Sequence, residues 1–250
     1  MTEANNLYAF DAEYFEVPIN VLPNADTPQI VYHRLRKPTL QELNEREDRI
    51  VYKLVGASSR EEEIVSSEET ANVRLWDAII LKVMGYRDAK DWRELTEEEK
   101  TAMRAGHKST AIRTLYAGYC EIEGAEDGIT IGADTWTIKH EIGLSRDNPD
   151  FVVKHILREP TEAERLKYNQ TSTRTIVVKG AKRPQRHLQT KLKPPADLYD
   201  ALVEDIQGAT VNGSEYRDGN RKDFLAAVDP IWKRLVILIL MNTLEAQISD

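Results

Sequence analysis

The chain says nearly the same thing twice, about 122 residues apart, so whatever it folds into must accommodate a repeated unit. Tyr14–Glu42 aligns without a gap on Trp136–Glu164, matching Leu22/Leu144, Val31/Val153, His33/His155, Leu35/Leu157, Arg36/Arg158, Pro38/Pro160, Thr39/Thr161 and Glu42/Glu164. These are eight identities in 29 positions, against roughly two expected from average composition. The match resumes at Gly56-Ala57 with Gly180-Ala181, then at Leu75-Trp76-Asp77-Ala78 with Leu198-Tyr199-Asp200-Ala201. Gly85 follows ten residues after Leu75, as Gly208 does after Leu198, and Tyr86-Arg87-Asp88 answers Tyr216-Arg217-Asp218. A chain of 250 residues is long enough for each copy to bury its own core. Two modules are therefore expected, 1–126 and 127–250, with the cut near Glu123–Gly128.

Each copy reads in the same order. A strand-like opening (Glu13–Leu22; Gly128–Ile142, with Gly132-Ala133-Asp134 as a hairpin turn) leads to a short strand at Gln29–Arg36 or Phe151–Arg158. That strand closes on Arg-Lys-Pro-Thr or Arg-Glu-Pro-Thr. Proline keeps the residue before it out of the helical region, and threonine caps the helix after it. Thr39 with Glu42, and Thr161 with Glu164, have capping-box spacing. Helices are expected at Leu40–Asp48 and Glu162–Asn169, strands at Ile50–Val55 and Thr175–Lys179, then amphipathic helices at Val73–Met84 and Asp197–Ile206. Closing helices are expected at Thr96–Ala105, Lys108–Ile122, Arg221–Val228 and Pro230–Ile248. The class is α+β, two tandem related modules, each a small mainly antiparallel sheet with helices packed on one side.

The copies differ most between the second strand and the amphipathic helix. Ser58–Asn72 carries Glu61, Glu62, Glu63, Glu68 and Glu69 against Arg60, whereas Lys182–Pro195 carries Lys182, Arg183, Arg186, Lys191 and Lys193 with no acid. One segment is thus net −4 and its counterpart net +5, in a chain of net charge −8. Arg165–Ala196 holds nine basic residues and no acidic one. Three readings are open: both are solvated loops, they bind each other within or between chains, or the basic one meets a phosphate backbone. Lys182–Pro195 lacks an aromatic to stack on bases, and the rest of the chain is acidic, which weighs against nucleic acid.

Signatures of catalysis and metal binding are missing from the sequence. The five histidines, His33, His107, His140, His155 and His187, show no His-Glu-x-x-His spacing, and Cys120 is the sole cysteine. There is no Walker loop, no Gly-x-Gly-x-x-Gly and no Gly-x-Ser-x-Gly elbow. His33 and His155 alternate with Val31/Val153 and Leu35/Leu157, which places them on the apolar face of a strand as structural residues. His140-Glu141 falls where the first copy has Pro18-Ile19. Cys120 lies in an apolar stretch read as helical, as an inert thiol. No signal peptide is expected from the opening Met-Thr-Glu-Ala-Asn-Asn. The longest apolar run, Leu235–Met241, is far short of the ~20 residues a bilayer requires.

The segment Ile30–Leu43, a strand ending His-Arg-Leu-Arg-Lys-Pro-Thr followed by a charged helix, resembles the opening of small tail-assembly proteins of tailed bacteriophages, and His155–Glu164 repeats it. The resemblance implies a non-enzymatic protein that binds other virion proteins while a tail or tail-like particle is built. The expectation is an assembly factor or structural component without catalytic residues, cofactor or metal. It would act in the host cytoplasm or the virion and associate with copies of itself or with other particle components, not with membrane. The alternative is a regulatory protein that binds nucleic acid or an acidic partner through 179–193.

Overall fold

The computed structural model describes residues 7–21, 29–54, 62–65, 68–86, 90–123, 135–143, 149–178 and 185–248. The chain forms β1 (Tyr8–Ala9), β2 (Tyr14–Asn20), β3 (Ile30–Arg36), α1 (Leu40–Glu47), β4 (Val51–Leu54), β5 (Glu62–Val65), α2 (Glu68–Ile79), β6 (Ile80–Met84), α3 (Glu97–Ala102) and α4 (Ala105–Leu115). It continues as β7 (Gly118–Ile122), β8 (Thr135–Ile142), β9 (Phe151–Arg158), α5 (Glu162–Thr171), β10 (Thr173–Val178), β11 (Gln185–Thr190) and α6 (Lys193–Leu202). The last elements are β12 (Val203–Gln207), β13 (Ala209–Val211), β14 (Ser214–Glu215), α7 (Arg221–Ala227) and α8 (Pro230–Ile248). The fold is α+β. Among the described residues the strand pairings are antiparallel except the short β1–β13 contact. Among the described residues no helix is long and apolar enough to cross a membrane.

Two compact units emerge, and neither is a continuous half of the chain. One, the His33 unit, comprises Ala12–Leu115 and Thr173–Lys191; the other, the His155 unit, comprises Met1–Asp11, Tyr116–Ser172 and Leu192–Asp250. A single cut at 126/127 therefore does not describe them. β7 precedes that cut yet pairs with β8, and the β10–β11 hairpin follows it yet pairs with β4. The N-terminal segment belongs to the His155 unit because Tyr8 and Phe10 are buried there, edge-on to Trp232. The proposed hairpin turn Gly132-Ala133-Asp134 and both Gly-Ala pairs lie outside the described residues.

In the His33 unit the sheet order is β2-β3-β6, with α2 and α4 packed together against it. In the His155 unit the order is β7-β8-β9-β12, with α6 and α8 packed together and α8 lying on β7 and β8. Both capping boxes are formed as the sequence reads, Thr39 with Glu42 and Thr161 with Glu164. Each capping glutamate does a second job. Arg36 grips Glu42 through two N–H···O bonds of 2.6 and 2.9 Å and donates to the Ala78 carbonyl; Arg158 grips Glu164 at 2.7 and 3.0 Å and donates to Ala201. This bidentate pair ties the end of the strand to both following helices. It holds the Glu42 and Glu164 carboxyls down at about 2.

The sequence pattern misleads where α2 and α6 end. Trp76, Ile79, Ile80 and Val83, like Tyr199, Leu202, Val203 and Ile206, follow the i, i+3, i+4, i+7 spacing of one helix. The structure instead stops the helices at Ile79 and Leu202 and continues as β6 and β12. A β-bulge reconciles the spacing with a strand. Leu35 faces Ile80 while Arg34 faces Lys82, and Leu157 faces Val203 while Ile156 faces Asp205. The extra residues Leu81 and Glu204 let side chains three apart share the buried face. The expected helix Lys108–Ile122 likewise ends at Leu115, and Cys120 sits in a strand, buried.

Gly85 and Gly208 end β6 and β12 with φ of +89° and +79°. A Cβ on Gly85 would lie 3.0 Å from the Ile30 carbonyl oxygen, and one on Gly208 would collide with that of Val152. Both the backbone conformation and the space demand glycine. Gly85→Ala and Gly208→Ala should each lower stability by about 1–2 kcal/mol or more, read as a fall in the urea midpoint. An unchanged midpoint in either variant would contradict the account of these turns.

Candidate functional site

Residues that recur in both units identify scaffold, and residues that differ at matching places identify candidates for function. His33 is fully buried on β3. The indole N–H of Trp76 donates to its Nδ1 at 2.9 Å, so the neutral ring carries its proton on Nε2 and donates to the Tyr86 hydroxyl, also at 2.9 Å. His155 is fully buried on β9, and the Tyr199 hydroxyl occupies the corresponding place on its Nδ1 at 2.7 Å. Burial holds His33 neutral, with its pKa down at about 3, and pushes that of His155 down as well. Neither ring is reachable by a substrate.

Around these rings lies a second shared feature that the sequence did not advertise. Lys108 of α4 reaches Asp77 at 2.6 Å and lies 4.9 Å from the Trp76 ring centre. Lys233 of α8 reaches Asp200 at 2.6 Å, 5.7 Å from the Tyr199 ring centre, and also donates to the Leu225 carbonyl. Both lysines are about 5% exposed. Their signal was within the repeat, since Asp77 and Asp200 were already matched. The lysines escaped because the closing helices align only loosely.

His140 breaks the pattern. Val17 pairs with His33 and Ile19 with Val31, whereas Ile138 pairs with His155 and His140 with Val153. His140 therefore answers to Ile19, not to Pro18 as the gapless alignment has it. Asn20 pairs with Ile30, ten residues on, and Glu141 with Val152, eleven on, so the turn in the second copy is one residue longer. In a strand a one-residue slip exchanges faces. The ring is fully buried, sits edge-on to Trp232 at 5.0 Å, and has no hydrogen-bond partner on either nitrogen among the described residues. Cys120 is directly opposite on β7. Gly118 makes room, since a Cβ there would stand 2.8 Å from His140 Nε2. Burial pushes His140 down to about 4 and the Cys120 thiol up to about 12. A neutral imidazole facing a protonated thiol is not an activated pair.

The charged segments are not loops throughout. Glu62 and Glu63 belong to β5 and Arg186 to β11, in one antiparallel sheet of order β10-β11-β4-β5. His187 stands opposite Lys53 and Leu188 opposite Tyr52, so the basic hairpin joins the acidic one by backbone pairing. Glu68 and Glu69 open α2, with Glu68 accepting from Arg113 at 3.2 Å. Lys191 is exposed before α6, and Lys193 is the first residue of that helix, paired with Asp197 at 2.7 Å. Glu61, Lys182 and Arg183 lie outside the described residues.

A cleft of about 200 Å³ between α1 and α2 is lined by Glu42, Glu45, Arg46, Arg49, Ala71, Arg74, Leu75 and Ala78. Arg46 is committed to Asn72 and Glu47, and Glu42 to Arg36. Among the described residues no group of three or more His, Cys, Asp or Glu is placed to hold a metal.

The buried histidines set an acid sensitivity whose sign is fixed. Folded pKa values of about 3 for His33 and about 4 for His140 lie below the ordinary 6.5, so the unfolded chain binds more protons as the pH falls. Their contribution is fully present above about pH 6.5 and is lost progressively as the pH drops toward the folded values. His140→Ile, which installs the residue of the other unit, should raise stability at pH 7 by about 1–3 kcal/mol by removing unpaired buried nitrogens. It should also flatten the slope of stability between pH 6.5 and 4. Denaturant titrations at both ends check this, and a variant weaker than wild type at pH 7 would show that the ring serves a purpose its geometry does not reveal. No family model, curated protein or solved structure matches the chain.

Proposed function

We propose that this protein is a non-enzymatic protein–protein interaction or assembly factor built from a duplicated module, acting as an assembly or structural component of a phage tail or tail-like particle. The observation that carries this reading is the sheet in which an acidic hairpin and a basic hairpin, at matching places in the two copies, pair edge to edge. Further support comes from the fate of the chemistry-bearing groups. His33, His155, Lys108 and Lys233 are buried in contacts that tie sheet to helix, and the two hairpin segments at matching places carry opposite charge. The tail-particle assignment itself rests on the resemblance of Ile30–Leu43 and His155–Glu164.

The test is charge reversal. Replacing Lys182, Arg183, Arg186, Lys191 and Lys193 by glutamate should abolish self-association in sedimentation while the melting curve stays cooperative. Replacing Glu61, Glu62, Glu63, Glu68 and Glu69 by lysine in the same chain should partly restore it, because complementarity returns with the signs exchanged. Association of the wild-type protein should weaken between 50 mM and 500 mM salt. Wild-type protein that stays monomeric at every salt concentration and retains DNA or RNA at physiological ionic strength would overturn the reading in favour of nucleic-acid binding by 179–193.

A further inference from the structure

The β10-β11-β4-β5 sheet is assembled by a rule that does not exhaust itself within one chain. β4 and β10 are the first strands of their hairpins, and β5 and β11 the second. The hairpins meet through the second strand of one, β11, and the first strand of the other, β4. That is a head-to-tail junction, in contrast to a symmetric one where like strands would meet. Among the described residues it leaves a first strand, β10, at one edge of the sheet and a second strand, β5, at the other. These two edges have the same relation as the pair already joined.

We propose that β5 of one molecule pairs antiparallel with β10 of a second copy of this chain, repeating between molecules the junction that β4 and β11 make within one. The register is set by the existing columns. Thr175, Leu188, Tyr52 and Ile64 stand side by side across the four strands, as do Ile176, His187, Lys53 and Glu63. Continuing those columns sets Ile64 opposite Thr175 of the next copy, and Glu63 opposite Ile176. All neighbours remain antiparallel. Unpaired strand edges attract other strands, and charge is the usual means of restricting which ones. Here each edge has one sign: Glu62 and Glu63 in β5, flanked by Glu61, Glu68 and Glu69; Arg174 in β10, within a stretch of nine basic residues. Like edges repel and unlike edges attract, so the charge pattern opposes a β5–β5 or β10–β10 dimer and favours the head-to-tail pair. A junction of this type closes into a ring or continues as a filament.

This inference rests on the assembly reading and adds the surface, the partner and the register. It is tested with the full chain carrying Ile64→Cys with Thr175→Cys, or Glu63→Cys with Ile176→Cys, since adjacent antiparallel pairs alternate in separation and the closer geometry bridges more readily. Within one chain the two cysteines are three strands apart, about 14 Å, which is beyond disulfide reach. Cys120 is buried with its thiol held protonated and is silent. Mild oxidation should give a ladder of covalent oligomers from at least one double variant, monomer from each single variant, and dimer alone from mixed partner single variants. Cross-linking within a single variant would overturn the proposal in favour of a symmetric edge. Monomer from both double variants would also overturn it: if the wild type still self-associates in a charge-dependent way, the assembly reading stands with another surface, and if it does not, both fail.

Discussion

The hydrogen bond between a helix side chain and a buried histidine on an inner strand is the contact on which each unit is organised. His33 and His155 sit on strands with neighbours on both sides, fully buried; both nitrogens of His33 are hydrogen-bonded, whereas of His155 Nδ1 is bonded and Nε2 has no partner among the described residues. Trp76 donates to Nδ1 of its histidine and the Tyr199 hydroxyl is hydrogen-bonded to the same ring atom of the other, although one is an indole and the other a phenol. The same two aromatic rings also form the surface over which Lys108 and Lys233 pass to reach Asp77 and Asp200, so the closing helix is bound to the same point. Strand, middle helix and last helix thus converge on one residue.

A second tie, from Arg36 or Arg158, holds the capping glutamate of the short helix and the last-turn carbonyl of the next. Half-buried charges of this kind add little net stability, because removing water from both partners costs much of what their attraction returns. Their recurrence makes the His140 site stand out. There the second copy places an imidazole where the first has isoleucine, and neither nitrogen finds a partner among the described residues. The two hairpins, by contrast, differ in charge and meet in one sheet.

Much of the scaffold was legible. Arg-x-Pro-Thr with glutamate three residues beyond the threonine announced a strand, a cap and a helix, because that signal is local and the structure uses the same residues. The burial of His33 and His155 was legible from alternation. The course of Ile80–Met84 and Val203–Gln207 was not, since a bulged strand imitates the spacing of a helix over one turn, and only pairing with β3 and β9 distinguishes them. The position of His140 was misread for a related reason: one inserted residue in a turn is invisible to a gapless alignment but inverts a strand.

By itself the sequence determined that the fold is α+β with a repeated order of elements, where the short helices begin, and which two segments carry opposite charge. These properties reside in nearest neighbours along the chain and in periodicity. Tertiary structure decided which segments share a unit. It placed the N-terminal residues and β7 with the second copy's sheet, and the β10–β11 hairpin beside the first copy's β4. Strand partners are chosen by backbone groups that every residue carries alike. A strand's own sequence therefore states that it will pair, and the assembled sheet alone selects the partner.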